Sequence, residues 1–266
     1  MLTKKNGKEL ILFLVMTLVS SSIFWALIIK SGFQSKNAAL YVMGLMWCPG
    51  ISAIVTSLIF QKSLHPIGWK WGKTRYQLLS FFLPIVYAAV TYSVVWLMGW
   101  GKINKEFSVE TAEFLTVGII FSFLFALGEE IGWRGFLVPQ LSKVMGFTSV
   151  CLVSGLIWSL WHYPLIIFSG YHGGTPVLYS LVCFTLMVTG TSFAYAWLRL
   201  ISGSVWTGMF LHGMHNHFVQ DFFDPLTSDT GITSYIIGEF GAALAVAGII
   251  VAFIFWKLRH RLNLAA

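Results

Sequence analysis

The sequence predicts an all-α fold, a polytopic membrane bundle of about eight transmembrane helices. Three observations carry this expectation. Hydrophobic residues fill 57% of the 266 positions and charged residues only 10%, against about 25% charged in soluble domains. Eight apolar runs are present, all but the fourth close to the length that crosses the roughly 30 Å hydrocarbon core of a bilayer. None alternates with the period of two that a membrane strand requires, and lipid leaves the backbone no partner outside a helix or a closed barrel.

The first run, Glu9–Ile29, follows Lys4, Lys5 and Lys8. That charged start is like a signal peptide's, but the run outlasts a signal core and no small-residue cleavage site follows, so it reads as an uncleaved first helix. The next two runs are Ala39–Phe60 and Leu78–Trp100. The fourth, Glu113–Leu127, is short before Gly128, and its helix is expected to continue through Glu129 towards Pro139. Phe147–Ser169, Pro176–Leu198, Ser204–Gln220 and Tyr235–Trp256 complete the set. The chain reads as a single integral-membrane domain over 1–266, without internal repeats.

Charge asymmetry tests the count. With the N-terminus inside, thirteen Lys and Arg fall in inside segments and four (Lys30, Lys36, Lys102 and Lys105) in outside ones. That is the bias of a cytoplasmic N-terminus, and one helix more or fewer would scramble it. The loop after the seventh run carries Asp221, Asp224 and Asp229 with no Lys or Arg, as an outside loop tolerates. Trp47, Trp69, Trp71, Trp96 and Trp100 lie near run ends, where indoles anchor at the interface or pack. The net charge of +7 forms no surface stripe and accompanies no recognition motif, which excludes a nucleic-acid partner. Cys48, Cys151 and Cys183 sit in apolar runs without CxxC spacing and read as buried thiols. The final residues, Asn263 to Ala266, offer no cysteine for prenylation, so the chain does not read as a lipidated substrate.

Against this background, three polar clusters stand out, because ionisable groups at bilayer depth cost roughly 2.5–3.5 kcal/mol each on insertion scales. Glu130 and Arg134 are four apart and can pair on one helix face. Glu129 lies about 100° away and points elsewhere, into the bundle. On the fifth run, Trp158 and His162 share a face shortly before Pro164. On the seventh, His212 and Asn216 share a face, with His215 close to it and His217 turned away. Each cluster alone has a bland reading: a helix-end salt bridge, a hydrogen-bonded core histidine, or polar glue between helices. Together they suggest one recessed pocket open to the cytoplasm, with carboxylate and imidazole groups suited to acid–base chemistry. No phosphate loop, dinucleotide fingerprint or HExxH motif is present.

At these residues the chain resembles the CPBP family, the membrane-embedded CAAX proteases and bacteriocin-processing enzymes. The family pattern is EExxxR, aromatic-xxx-His and HxxxN, met here by Glu129-Glu130…Arg134, Trp158…His162 and His212…Asn216. The framing also matches: Gly135, Leu137 and Leu141, then Tyr163-Pro164, then Ser202-Gly203-Ser204-Val205-Trp206. Trp158 stands where phenylalanine is common. The resemblance covers about Phe125–Val219 and implies a type II CAAX prenyl endopeptidase-like intramembrane glutamic protease with a catalytic core over about 113–220. By that resemblance Glu129 and His162 activate a water, His212 and Asn216 stabilise the oxyanion, and Glu130, Arg134 and Trp158 brace the site. No cofactor is implied. The expected partners are membrane lipids and a peptide or lipid-anchored protein substrate. The expected setting is the plasma membrane, with both termini cytoplasmic and the site facing the cytoplasm.

Other chemistries remain open to these residues. One Glu with two His is also a zinc ligand set, although Asn216 is a poor ligand. A non-proteolytic membrane scaffold or bacteriocin-immunity protein would act by binding, but has no need of an acid–base set. A proton-coupled transporter would use Glu and His as a relay, but the groups cluster at one depth and no inverted repeat is visible.

Overall fold

A computed structural model describes residues 4–110 and 113–262; the C-terminal residues Asn263 to Ala266 of the prenylation argument lie outside them. Among the described residues, eight long helices form the bundle: α1 (Lys4–Ser31), α2 (Ala38–Phe60), α3 (Thr74–Leu97), α4 (Phe114–Leu141), α5 (Phe147–Phe168), α6 (Val177–Ser202), α7 (206–223) and α8 (Ala242–Lys257). Two-residue strands β1 (Lys102–Ile103) and β2 (Thr227–Ser228) pair antiparallel across the loops after α3 and α7. The expected all-α polytopic bundle is thus the observed fold, and the chain is a multi-pass integral membrane protein.

Among the described residues, seven helices are long and apolar enough to cross a membrane. The eighth, α7, carries His212, His215, Asn216, His217, Gln220 and Asp221, too many polar groups for lipid. It does not need lipid compatibility, because it packs between α3 and α4 and most of its residues are buried. The lipid-facing surface shows the opposite pattern: Leu97, Phe253, Ile11 and Ile250 are large, apolar and exposed, as a bilayer allows.

Two boundaries matter for the site, the first as expected and the second not. Helix α4 continues past Leu127 to Leu141 through a π-helical stretch, Ile131–Leu137, so the first motif lies mid-helix. Close packing holds it there. A Cβ on Gly132 would sit 2.4 Å from Pro49 Cβ, and one on Gly128 would sit 2.8 Å from the Met46 carbonyl oxygen. The small residues four apart let α2 lie directly against α4. Helix α8 begins at Ala242 and not at Tyr235. A short helical turn, Thr233–Ile236, is followed by a break in which Gly238 adopts φ 72°, a left-handed conformation that glycine takes without steric cost. The thiols Cys48, Cys151 and Cys183 are buried and unpaired.

Candidate active site

Glu129 is the sixteenth residue of a 28-residue helix, close to the midpoint of a rod about 42 Å long. Its carboxylate is buried, and two indoles hold it. Trp133 Nε1–H on the same helix donates to Oε2 at 3.2 Å, and Trp158 Nε1–H on α5 donates to the same oxygen at 2.7 Å. Among the described residues Oε1 has no hydrogen-bond partner. The Trp158 indole therefore does more than fill the aromatic position of the motif: it fixes the carboxylate.

Trp158 also sets the tautomer of His162. Its backbone carbonyl lies 2.9 Å from His162 Nδ1. A carbonyl can only accept, so in the neutral ring the proton sits on Nδ1 and the Nε2 lone pair is left free. The ring is wedged between Trp161 and Phe184, at centroid distances of 4.8 and 4.9 Å.

Glu130 faces the other way. Arg134 donates to Oε1 at 2.8 Å, as the four-residue spacing predicts, and His212 Nδ1–H donates to the same oxygen at 3.0 Å. The guanidinium of Arg134 is clamped between the rings of Trp158 and Tyr195, 3.9 and 3.8 Å from their centroids, a cation–π arrangement with little water nearby. Glu130 Oε2 is buried without a hydrogen bond. It lies so close to α7 that a Cβ on Gly208 would approach it to 2.3 Å. Glycine is required there by proximity alone.

Helix α7 widens into a π-helix over Asn216–Phe223, beginning at the motif asparagine. Such wide turns are frequent at functional positions. Asn216 faces the cavity, and among the described residues its side-chain amide has no hydrogen-bond partner.

Glu129, Trp158, His162, His212 and Asn216 line one cavity of about 330 Å³. Glu130 and Arg134 are not among its lining residues. Among the described residues no three His, Cys, Asp or Glu side chains converge as a metal-ligating group.

The cavity also holds groups that the sequence did not single out. Glu239, from the break before α8, accepts from His215 Nε2–H at 3.2 Å and from the Tyr171 hydroxyl at 2.8 Å. The Tyr87 hydroxyl hydrogen-bonds His215 Nδ1, so His215 is satisfied on both nitrogens. Burial alone would raise the Glu239 carboxyl, but the hydrogen bond and charge of His215, with Tyr171, bring it down to about 2. Beside it, burial pushes the Asp224 carboxyl up to about 7, despite a hydrogen bond from the Tyr92 hydroxyl.

The cavity opens at one end of the bundle. Phe33, Tyr171, Gln220 and Glu239 line both this cavity and an outer vestibule of about 590 Å³. They come from the α1–α2 and α5–α6 loops, the far end of α7 and the approach to α8. That is the end of the bundle away from the N-terminus, since α1, α3, α5 and α7 all run towards it. Mouth and termini therefore lie at opposite ends of the bundle, and at the terminal end Arg134, Trp158, Tyr195 and Arg199 fill the interior.

The family comparison falls on the same residues. The family model described as type II CAAX prenyl endopeptidase Rce1-like matches residues 111–218. The CAAX prenyl protease 2 of Methanococcus maripaludis is 26% identical over 170 residues, covering 58% of this chain and 62% of that relative. The chain thus spans less than two thirds of the relative's length. The matched residues 111–218 hold all three motifs, and over them the chain is similar to the Rce1-like type II CAAX prenyl endopeptidases.

Proposed function

We propose that the chain is an intramembrane endopeptidase of the CAAX prenyl endopeptidase type, with residues 113–220 as its catalytic core. It would hydrolyse a peptide bond of a membrane-associated protein or leader peptide, from a membrane in which both termini are cytoplasmic. The observation that carries the reading is the joint exposure of a free Glu129 oxygen, a free His162 Nε2 and an unpartnered Asn216 amide to one cavity.

In this reading Glu129, with His162, takes a proton from a water as its oxygen attacks the scissile carbonyl carbon. The carbonyl oxygen becomes an oxyanion, and His212 and Asn216 donate hydrogen bonds to it, the step at which preorganised donors matter most. His212 Nδ1–H is already given to Glu130, so His212 donates from Nε2 only when doubly protonated. Collapse of the intermediate breaks the C–N bond, and the leaving nitrogen recovers the proton held by the base. Glu130 and Arg134 hold His212 in place, and Trp158 orients both Glu129 and His162.

The test is cleavage by the purified, lipid-reconstituted protein of a peptide library that includes prenylated tails, read by mass spectrometry. The proposal expects defined products. A folded protein that cleaves nothing but retains particular peptides would instead support the scaffold or immunity role.

A further inference from the structure

We propose that the cleft between the start of α3 and the ends of α6 and α8 binds the headgroup of an anionic phospholipid. The proposal goes beyond the endopeptidase reading and stands whether or not the catalytic cavity cleaves a peptide, because it concerns a different surface of the bundle.

The cleft has a volume of about 790 Å³, and four cations line it: Lys70, Lys73, Arg75 and Arg261. No Asp or Glu lines it, and among the described residues none of the four cations is in an ion pair. The sequence explains the imbalance. The segments that turn at this end of the bundle, 61–73, 142–146 and 203–205, contain no Asp or Glu. Glu9, on the second turn of α1, is buried, and its Oε2 accepts from the Gln61 and Gln140 amides at 2.9 and 2.8 Å. A second cleft, of about 260 Å³, shares Lys70 and is lined also by Arg199. That buried guanidinium donates to the carbonyls of Arg134, Pro66 and Ile67 at 2.8, 2.9 and 3.1 Å, which are dipoles and no counter-charge. Like charges gathered in one recess repel each other, and a bound anion relieves that repulsion.

Shape and depth select among anions. Arg75 is oriented in advance: it donates to the Tyr76 hydroxyl at 2.8 Å, and its guanidinium lies 4.7 Å from the centroid of the Tyr76 ring. A fixed guanidinium fork beside compact ammonium groups suits phosphate oxygens. The wall behind the charges is apolar, built by Leu79, Trp197, Ile201 and Leu258. Leu79 is exposed, as are Leu78, Phe82 and Val86 further along α3, so the lipid-facing side of that helix continues from the cleft. Trp69 and Trp71, in the segment that leads into α3, are exposed as well, and indoles favour the membrane interface. The cations therefore stand at headgroup depth with an apolar surface beside them. A free phosphate would meet the charges alone, whereas a phospholipid meets the charges and the apolar wall together. Basic pockets between transmembrane helices take such headgroups.

Native mass spectrometry tests this on the purified protein, delipidated in a neutral detergent and titrated with phosphatidylglycerol or phosphatidylcholine of identical acyl chains. The proposal expects phosphatidylglycerol to be held about 10-fold more tightly or better. The triple variant Lys70→Gln, Lys73→Gln, Arg261→Gln should weaken its binding roughly 100-fold. All three positions are exposed, so an unchanged Tm in lipid-free detergent is expected and checks the fold. A charge-matched variant, Lys62→Gln, Lys257→Gln, Arg259→Gln, removes cations that line neither cleft and should bind like the parent. Equal retention of the two lipids, or equal losses from the two variants, would overturn the proposal. So would displacement of phosphatidylglycerol by millimolar inorganic phosphate, which would make the ligand a free anion.

Discussion

Trp158 is the residue on which most of the site's geometry converges. Its indole hydrogen-bonds Glu129, its carbonyl fixes the His162 tautomer and its ring carries the Arg134 guanidinium. Trp158→Phe keeps the ring and the carbonyl but removes one hydrogen bond to a carboxylate, worth about 1.5–3 kcal/mol. The expected result is a roughly 10–100-fold loss of kcat with the fold intact, measured on the peptide identified by library cleavage. Asn216→Ala is expected to cost roughly 10²–10³-fold in kcat with KM little changed, as for loss of one oxyanion donor. At the vestibule, the folded protein holds the Asp224 proton more tightly than the unfolded chain does. Stability is therefore lost as pH rises from the ordinary carboxylate range through about 7. Asp224→Asn cannot ionise, so its Tm should gain on the parent's between pH values of about 5 and 7 and hold that gain above. A difference independent of pH would contradict the assignment.

At the scale of elements, the motif residues were legible because helical spacing places them. Glu130 and Arg134 do pair, Trp158 and His162 do share a face, and Glu129 does point away from the salt bridge, towards the cavity. Less legible was the backbone that carries them. The π-helical turns at 131–137 and 216–223 leave no mark in hydropathy, and α7 is helical because its neighbours bury it, not because it is apolar. Glu239 was missed because it lay within an apolar run read as a spanning helix. The glycines on either side, Gly238 and Gly241, were the available signal of a break. Close approach of α7 to α4 rests on Gly208, where a Cβ would press on Glu130 Oε2. Gly208→Ala is expected to lower stability by about 1–3 kcal/mol through overpacking, read as a reduced Tm in detergent.

For the whole molecule, the bundle class followed from composition and the lengths of the apolar runs, which act along the chain and need no tertiary contacts. The direction in which the cavity opens did not, because it depends on how side chains from different helices fill the bundle. Arg134 and Arg199 illustrate the difference. In sequence they count as inside charges; in the fold they are the buried floor that closes the cavity on that side. The result is a membrane bundle whose polar interior is sealed at the basic end and opens at the acidic one. Catalysis by Glu129 is the centre of the account, and the most direct measurement compares the parent with Glu129→Gln after lipid reconstitution, on one cleaved peptide, with circular dichroism and Tm as checks of folding. The account predicts that the variant folds like the parent and yields no product. Product formation by a folded Glu129→Gln protein at a rate near the parent's would contradict it.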